Sequence, residues 1–272
     1  MSADTAKNPA KILENLLDLV KIFLFDRLDR FGHFILYVKE VLQKMFSRPY
    51  RFHLIAQQME FIGNQSLFII TLTGFFTGAV FGLQLGGVFT IFKAENMIGG
   101  ATGIALAKEL APLIGAFLLT GRAGSAITAE LATMVVNEQV DALEVMAVDP
   151  INYLVVPRVW ASLIMMPLLC GVFMLIGMVG ATLVSLIIYY ADSGIYWEKI
   201  LDLIEPSDLI SGLRKMFAFA FVISVMHCYY GIHASGGAKG VGNATTTAVV
   251  STLITLLAID FFISYFEVVW LG

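Results

Sequence analysis

The sequence predicts an all-α integral membrane protein. An amphipathic N-terminal helix lies at the membrane interface, five transmembrane helices follow, and a short cytoplasmic helix joins the second span to the third. Three observations carry this. The 272 residues are 58% hydrophobic and 14% charged, where a soluble domain carries about 25% charged residues. Mean hydropathy is +0.82. The charges that remain are gathered between long uncharged runs, of which Val159 to Ala191 is the longest. The net charge of −4 argues against a nucleic-acid partner.

The N-terminal segment, 1–55, is too polar to span. Leu13, Leu16, Leu17, Val20, Phe23, Leu24 and Leu28 share one helical face, and Lys11, Glu14, Asn15, Asp18 and Lys21 the other. That pattern suits a helix lying along the cytoplasmic leaflet, with a soluble amphipathic helix as the alternative. The first sixty residues are charged throughout and lack a short apolar core followed by a cleavage site, so no signal peptide is expected.

The membrane domain, 56–272, holds the spans. A crossing helix needs about 20 mostly apolar residues. Phe61 to Phe92, Val159 to Ala191 and Met216 to Ala238 meet this alone. The run from Ala244 to Ile259 must extend through Asp260 to about Trp270, and Met97 to Met134 is interrupted by Lys108, Glu109, Arg122 and Glu130. Nine of the 17 basic residues precede the first span, which places the N-terminus in the cytoplasm and the C-terminus outside. Residues 137–158 and the Gly236–Gly242 turn are then cytoplasmic, and Asp192 to Lys215 is an external loop.

Four features within this frame invite a role. Asn137, Glu138, Asp141 and Glu144 form one arc of a short helix, with Val140, Leu143, Met146 and Ala147 opposite; Asp149-Pro150 then reads as an N-cap and first helical residue of the next span. A solvated loop is the plainer reading. Gly74, Gly78, Gly82 and Gly86 make a small-residue ladder, which serves either packing within one chain or a seam between two copies. Arg122, Glu130 and Asp260 are intramembrane charges that suit internal pairing, Arg122 with Asp260 or Glu130. Lys108 and Glu109 lie in the external half of the second span. Cys170 and Cys228 fall in apolar runs and suit packing rather than a disulfide. The histidines, His33, His53, His227 and His233, show no metal-ligand spacing, and no cofactor is expected in this chain. No G-x-x-x-x-G-K-[ST], G-x-S-x-G or H-E-x-x-H occurs, so enzymatic chemistry is not expected.

Three stretches, "GRAGSAITAELATM" (121–134), "EQVDALEVMAVDPINYLVVPRVWA" (138–161) and "GGAKGVGNATTTAVV" (236–250), resemble the signatures of the MlaE family, in order and spacing. These are the permease subunits of ABC-type lipid transporters that work with Mce-domain proteins in the bacterial inner membrane. The resemblance implies a homodimer moving phospholipid, an ATPase subunit that hydrolyses the ATP, an external MlaD-like Mce partner and a small STAS-type subunit on the ATPase. It implies that Glu138, Asp141 and Glu144 lie on a coupling helix seated on the ATPase. It also implies that Lys108 and Glu109, just before "LAP", lie at an externally opening lipid pocket; many family members carry Arg at the first position. Two rivals stand beside this: an ion- or proton-coupled secondary transporter using Glu109, Arg122 and Asp260, and a lipid-modifying membrane enzyme.

Overall fold

The structure is a computed structural model that describes Asp29 and residues 32–48 and 51–270. The interfacial stripe from Leu13 to Leu28 lies outside the described residues. The chain divides into two compact units, Met1–Ser47 and Arg48–Gly272. In the first unit, helix α1 (32–45) buries Tyr37, Val41 and Met45, which recur every four residues along one face. Glu40 and Lys44 pair at 2.6 Å on it.

The second unit holds five helices long and apolar enough to cross a membrane: α2 (Phe52–Ile91), α3 (Glu95–Val136), α5 (Ile151–Ile187), α7 (Pro206–Ile232) and α8 (Gly237–Trp270). Two short helices, α4 (Gln139–Val145) and α6 (Ser193–Leu203), fill the connections. The 40 residues of α2 span about 60 Å at 1.5 Å each. That is twice the hydrocarbon thickness of about 30 Å, so its polar early turns extend beyond the uncharged run.

The glycine ladder explains how α2 packs. Gly74, Gly78 and Gly82 are buried against α5 of the same chain, facing Phe173, Gly177 and Ala181 in turn, and Gly86 is buried against Tyr189 just past the end of α5. A Cβ at Gly78 would fall on the Gly177 carbonyl, and one at Gly180 on the Phe75 carbonyl. The two backbones touch, which only residues without a side chain permit. Of the two roles open to the ladder, the structure shows packing within the chain.

Helix α3 is not regular. It opens with a 3₁₀ turn at Glu95–Met97 and widens into π-turns at Leu106–Leu110 and Thr120–Gly124. A third π-turn, Ile151–Val155, begins α5. Each holds one residue more than an α-turn, and such turns recur at functional sites. Hydrophobic periodicity does not reveal them.

The segment read as an external loop, Asp192 to Lys215, is mostly helix. Asp192 caps α6, its Oδ1 accepting from the backbone N–H of Gly194 and Ile195 at 3.0 Å each. Glu205 and Asp208 form a capping box, with Pro206 in the first turn, so α7 starts well before the uncharged run. The run read through Ala238 is likewise broken. Helix α7 ends at Ile232, and Gly236 and Gly237, at φ +94° and +66°, turn the chain into α8. Residues 237–242 are therefore helix rather than turn. Cys170 and Cys228 are buried and free.

Candidate functional site

At the end of the helices where α6 lies, three elements deliver charged groups to one cleft. The first π-turn of α3 presents Lys108 and Glu109. The early turns of α7 present Asp208, Ser211 and Lys215, which share a face because they recur at three- and four-residue steps; Arg214 stands beside them. Asp260, Ser264 and Glu267 do the same on α8. Lys108, Glu109, Asp208, Ser211, Arg214 and Glu267 line a cleft of about 440 Å³.

Lys215 is the centre of the arrangement. Its side chain is fully buried, and its Nζ lies 2.6 Å from Glu109 Oε1 and donates to Ser264 Oγ at 2.9 Å. Ser264 in turn donates to the same Glu109 oxygen at 3.2 Å. Asp260 and Glu267 each lie 3.9 Å from the ammonium. An unpaired buried ammonium would be prohibitively costly, so these carboxylates hold it in place. Ser211 donates to Glu267, and Arg214 Nη2 reaches Glu267 Oε1 at 3.0 Å. Lys108 pairs with Asp208 Oδ1 at 2.8 Å, while the other Asp208 oxygen accepts from the Glu205 N–H at 3.1 Å. Four carboxylates, Glu109, Asp208, Asp260 and Glu267, thus face three cations, Lys108, Arg214 and Lys215. Lys108 and Glu109 are each about half exposed, at 47% of their side chains, and open into the cleft.

The intramembrane charges pair differently from the sequence-based expectation. Arg122 meets neither Asp260 nor Glu130. It sits in the second π-turn and donates to the Phe61 carbonyl at 3.2 Å, to Ser66 Oγ at 3.1 Å and to Gln65 Oε1, tying α3 to α2. The face it opens towards carries backbone and side-chain acceptors, which periodicity cannot show. Glu130 pairs with Arg158 of α5 at 3.0 Å. Asp260 belongs to Lys215.

At the opposite end lies α4. Glu138 precedes it in the left-handed conformation, φ +58°, which turns the chain sharply out of α3. The helix proper is therefore shorter than the Asn137-to-Ala147 helix the sequence suggests, and runs from Gln139 to Val145. Glu138, Asp141 and Glu144 are exposed, and Val140 is buried. Met146 is not turned inward as the helical wheel suggested. It is 64% exposed beside Val145 at 87%, because the helix ends at Val145 and Ala147, at φ +58°, redirects the chain. The tip thus offers three carboxylates and two bare apolar side chains. Asp149 caps α5 as expected, its Oδ1 accepting from the Ile151 N–H at 3.0 Å.

Sequence reading missed Asp208, Ser211, Arg214, Lys215, Ser264, Glu267 and Arg158. The signal on α7 is polar residues at helical spacing, hidden by the reading of 192–215 as a loop; Ser264 and Glu267 lie within the expected fifth span, at four- and seven-residue steps from Asp260.

The family profile described as Permease MlaE matches residues 55–266. A probable ABC transporter permease protein of Rickettsia prowazekii is 42% identical over 233 residues, covering 86% of this chain and 90% of that protein. A probable ABC transporter permease protein of Synechocystis is 39% identical over 209 residues, 77% of this chain and 80% of its own length. The chloroplastic protein TRIGALACTOSYLDIACYLGLYCEROL 1 of Arabidopsis thaliana is 40% identical over 210 residues, 77% of this chain and 60% of its own.

Proposed function

This chain belongs to the MlaE permease family, and from that membership we propose that, as the membrane subunit of an ABC transporter, it moves phospholipid or a similar amphiphile between the inner membrane and an external Mce-domain protein. Two copies enclose the lipid route. A separate ATPase subunit, with a small STAS-type protein on it, hydrolyses the ATP. The N-terminus and α4 face the cytoplasm, and the C-terminus and charged cleft face outside.

The observation that carries this reading is the placement of the two polar features on α3. Its one end leads into the exposed acidic tip of α4, and its other half bears Lys108 and Glu109 in the cleft. A partner that moves α4 acts on the helix that lines the cleft. Surface carboxylates at the tip suit a basic groove, where charge complementarity sets register and partner choice. The name of the Arabidopsis relative refers to a glycerolipid, which favours lipid as cargo. An ion-coupled secondary transporter built on Glu109, Arg122 and Asp260 is less well supported. Glu109 and Asp260 share Lys215, but Arg122 is spent on α2.

The test is charge reversal at the α4 tip. Glu138→Lys with Glu144→Lys should release the ATPase from the purified complex while the permease still inserts in the membrane. Normal co-purification with retained ATP-driven transport would refute the docking role.

A further inference from the structure

The loop that carries α4 has two stalks, the foot of α3 and the foot of α5, and one side chain ties them together. Arg158 of α5 is buried, its side chain 5% exposed. Its Nη2 lies 3.0 Å from Glu130 Oε1 on α3, and its Nη1 donates to the Leu154 carbonyl at 2.6 Å. Leu154 belongs to the π-turn that begins α5. The Arg158 Nε is buried without an acceptor. Among the described residues Glu130 is the one carboxylate within ion-pairing distance of this guanidinium, so no second acid can take over if the pair opens. One planar group therefore fastens α3, the widened turn and α5 at a fixed spacing. Arg158 is buried while the Glu130 side chain is 46% exposed, so solvent weakens the pair from the acid side, but an unpaired Arg158 remains expensive.

We infer that the Glu130–Arg158 pair is the positioning element of the transport cycle. It locks the two stalks of α4 together, so that displacement of α4 travels along α3 to Arg122 and the Lys108–Glu109 cleft instead of being lost in relative sliding of α3 and α5. The inference rests on the docking role of α4. Glu130 and Arg158 touch neither cargo nor ATP; they act through α3. Without the pair, the ATPase still binds and still hydrolyses ATP, but its stroke no longer moves the cleft.

The experiment uses the permease purified with its ATPase in proteoliposomes, with fluorescently labelled phosphatidylglycerol as the transported probe. ATP hydrolysis and probe transfer are measured on the same preparation. Glu130→Ala should retain the ATPase and hydrolyse ATP within about twofold of the parent, while probe moved per ATP falls at least tenfold. Glu130→Gln, which keeps an oxygen acceptor for Arg158 and leaves Arg158 on the Leu154 carbonyl, should retain half or more of the parent ratio, which a non-specific loss at this position would not do. Where Glu130→Ala fails to reach the membrane, Arg158→Lys takes its place. It keeps the charge but cannot hold Glu130 and Leu154 at once, and should lower the ratio about threefold. An unchanged ratio in Glu130→Ala or Arg158→Lys, or a Glu130→Gln protein no better than Glu130→Ala, overturns the inference. Failure of the docking role shows elsewhere, as an ATPase that still co-purifies with the Glu138→Lys/Glu144→Lys protein.

Discussion

A buried lysine among carboxylates is only as stable as its least replaceable partner. Lys215 donates to Glu109 and Ser264 and leans on Asp260 and Glu267. Lys215→Met would remove the cation and leave its acids facing one another. Losing one partner of a buried pair costs about 3–5 kcal/mol. We expect a markedly lower unfolding temperature in detergent, and partial recovery when Asp260→Asn is added, because the surplus carboxylate then no longer needs a counter-charge. Additive losses would show that the two residues do not interact. Lys108 differs. Its ammonium has three donors and gives one to Asp208, which leaves two for an anion entering the half-open cleft. Lys108→Ala should reduce the phospholipid that co-purifies with the complex, read by mass spectrometry, without loss of the ATPase. A photocrosslinker at position 108 that captured only protein would count against a headgroup there.

At the scale of elements, the α2–α5 contact is the tightest constraint in the membrane unit. Gly78→Leu would drive a side chain into the Gly177 carbonyl. Overpacking of this kind typically costs about 1–3 kcal/mol, and more where backbone must move. We expect the variant to accumulate poorly in the membrane, while Phe76→Ala, on an exposed position of the same helix, accumulates near the parent level. Equal tolerance would mean that the two backbones do not meet. The ladder was legible in the sequence because small residues at a four-residue spacing have few other uses in a membrane helix. The partner helix was not legible, since Gly177, Gly180 and Ala181 read as ordinary small residues in a long apolar run. The π-turns were hidden too, because a one-residue shift in phase barely alters hydrophobic periodicity. Their effect is large, since they determine which way Lys108, Glu109 and Arg122 point.

Over the whole molecule, the number of spans and the capped start of α5 followed from uncharged runs, from Asp149 and from Pro150. What failed was the assignment of polar residues near span ends. Ser207 to Lys215 looked like a solvated loop because charge density alone cannot distinguish water from a cluster of mutually paired side chains. The expected orientation is open to direct measurement. Cys170 and Cys228, the two cysteines of the sequence, are buried, so the parent protein gives low background. A cysteine at Gly194 should react with a membrane-impermeant maleimide on intact cells, and one at Gln139 only after the membrane is opened. The reverse pattern would invert the topology and place the cleft in the cytoplasm.

The widened turns also make chain length a variable. A turn with one surplus residue can lose it and remain a helix, whereas a regular span that loses one has no slack to absorb the change. Deleting one residue within 106–110 would turn the π-turn into an α-turn, keep both flanking stretches of α3 in phase, and re-aim the side chains within the turn. At these sites a deletion re-aims a charged group, such as Lys108 or Glu109, without cutting the span. The charge pattern of the cleft can therefore be altered by a change in residue number, with every remaining side chain kept.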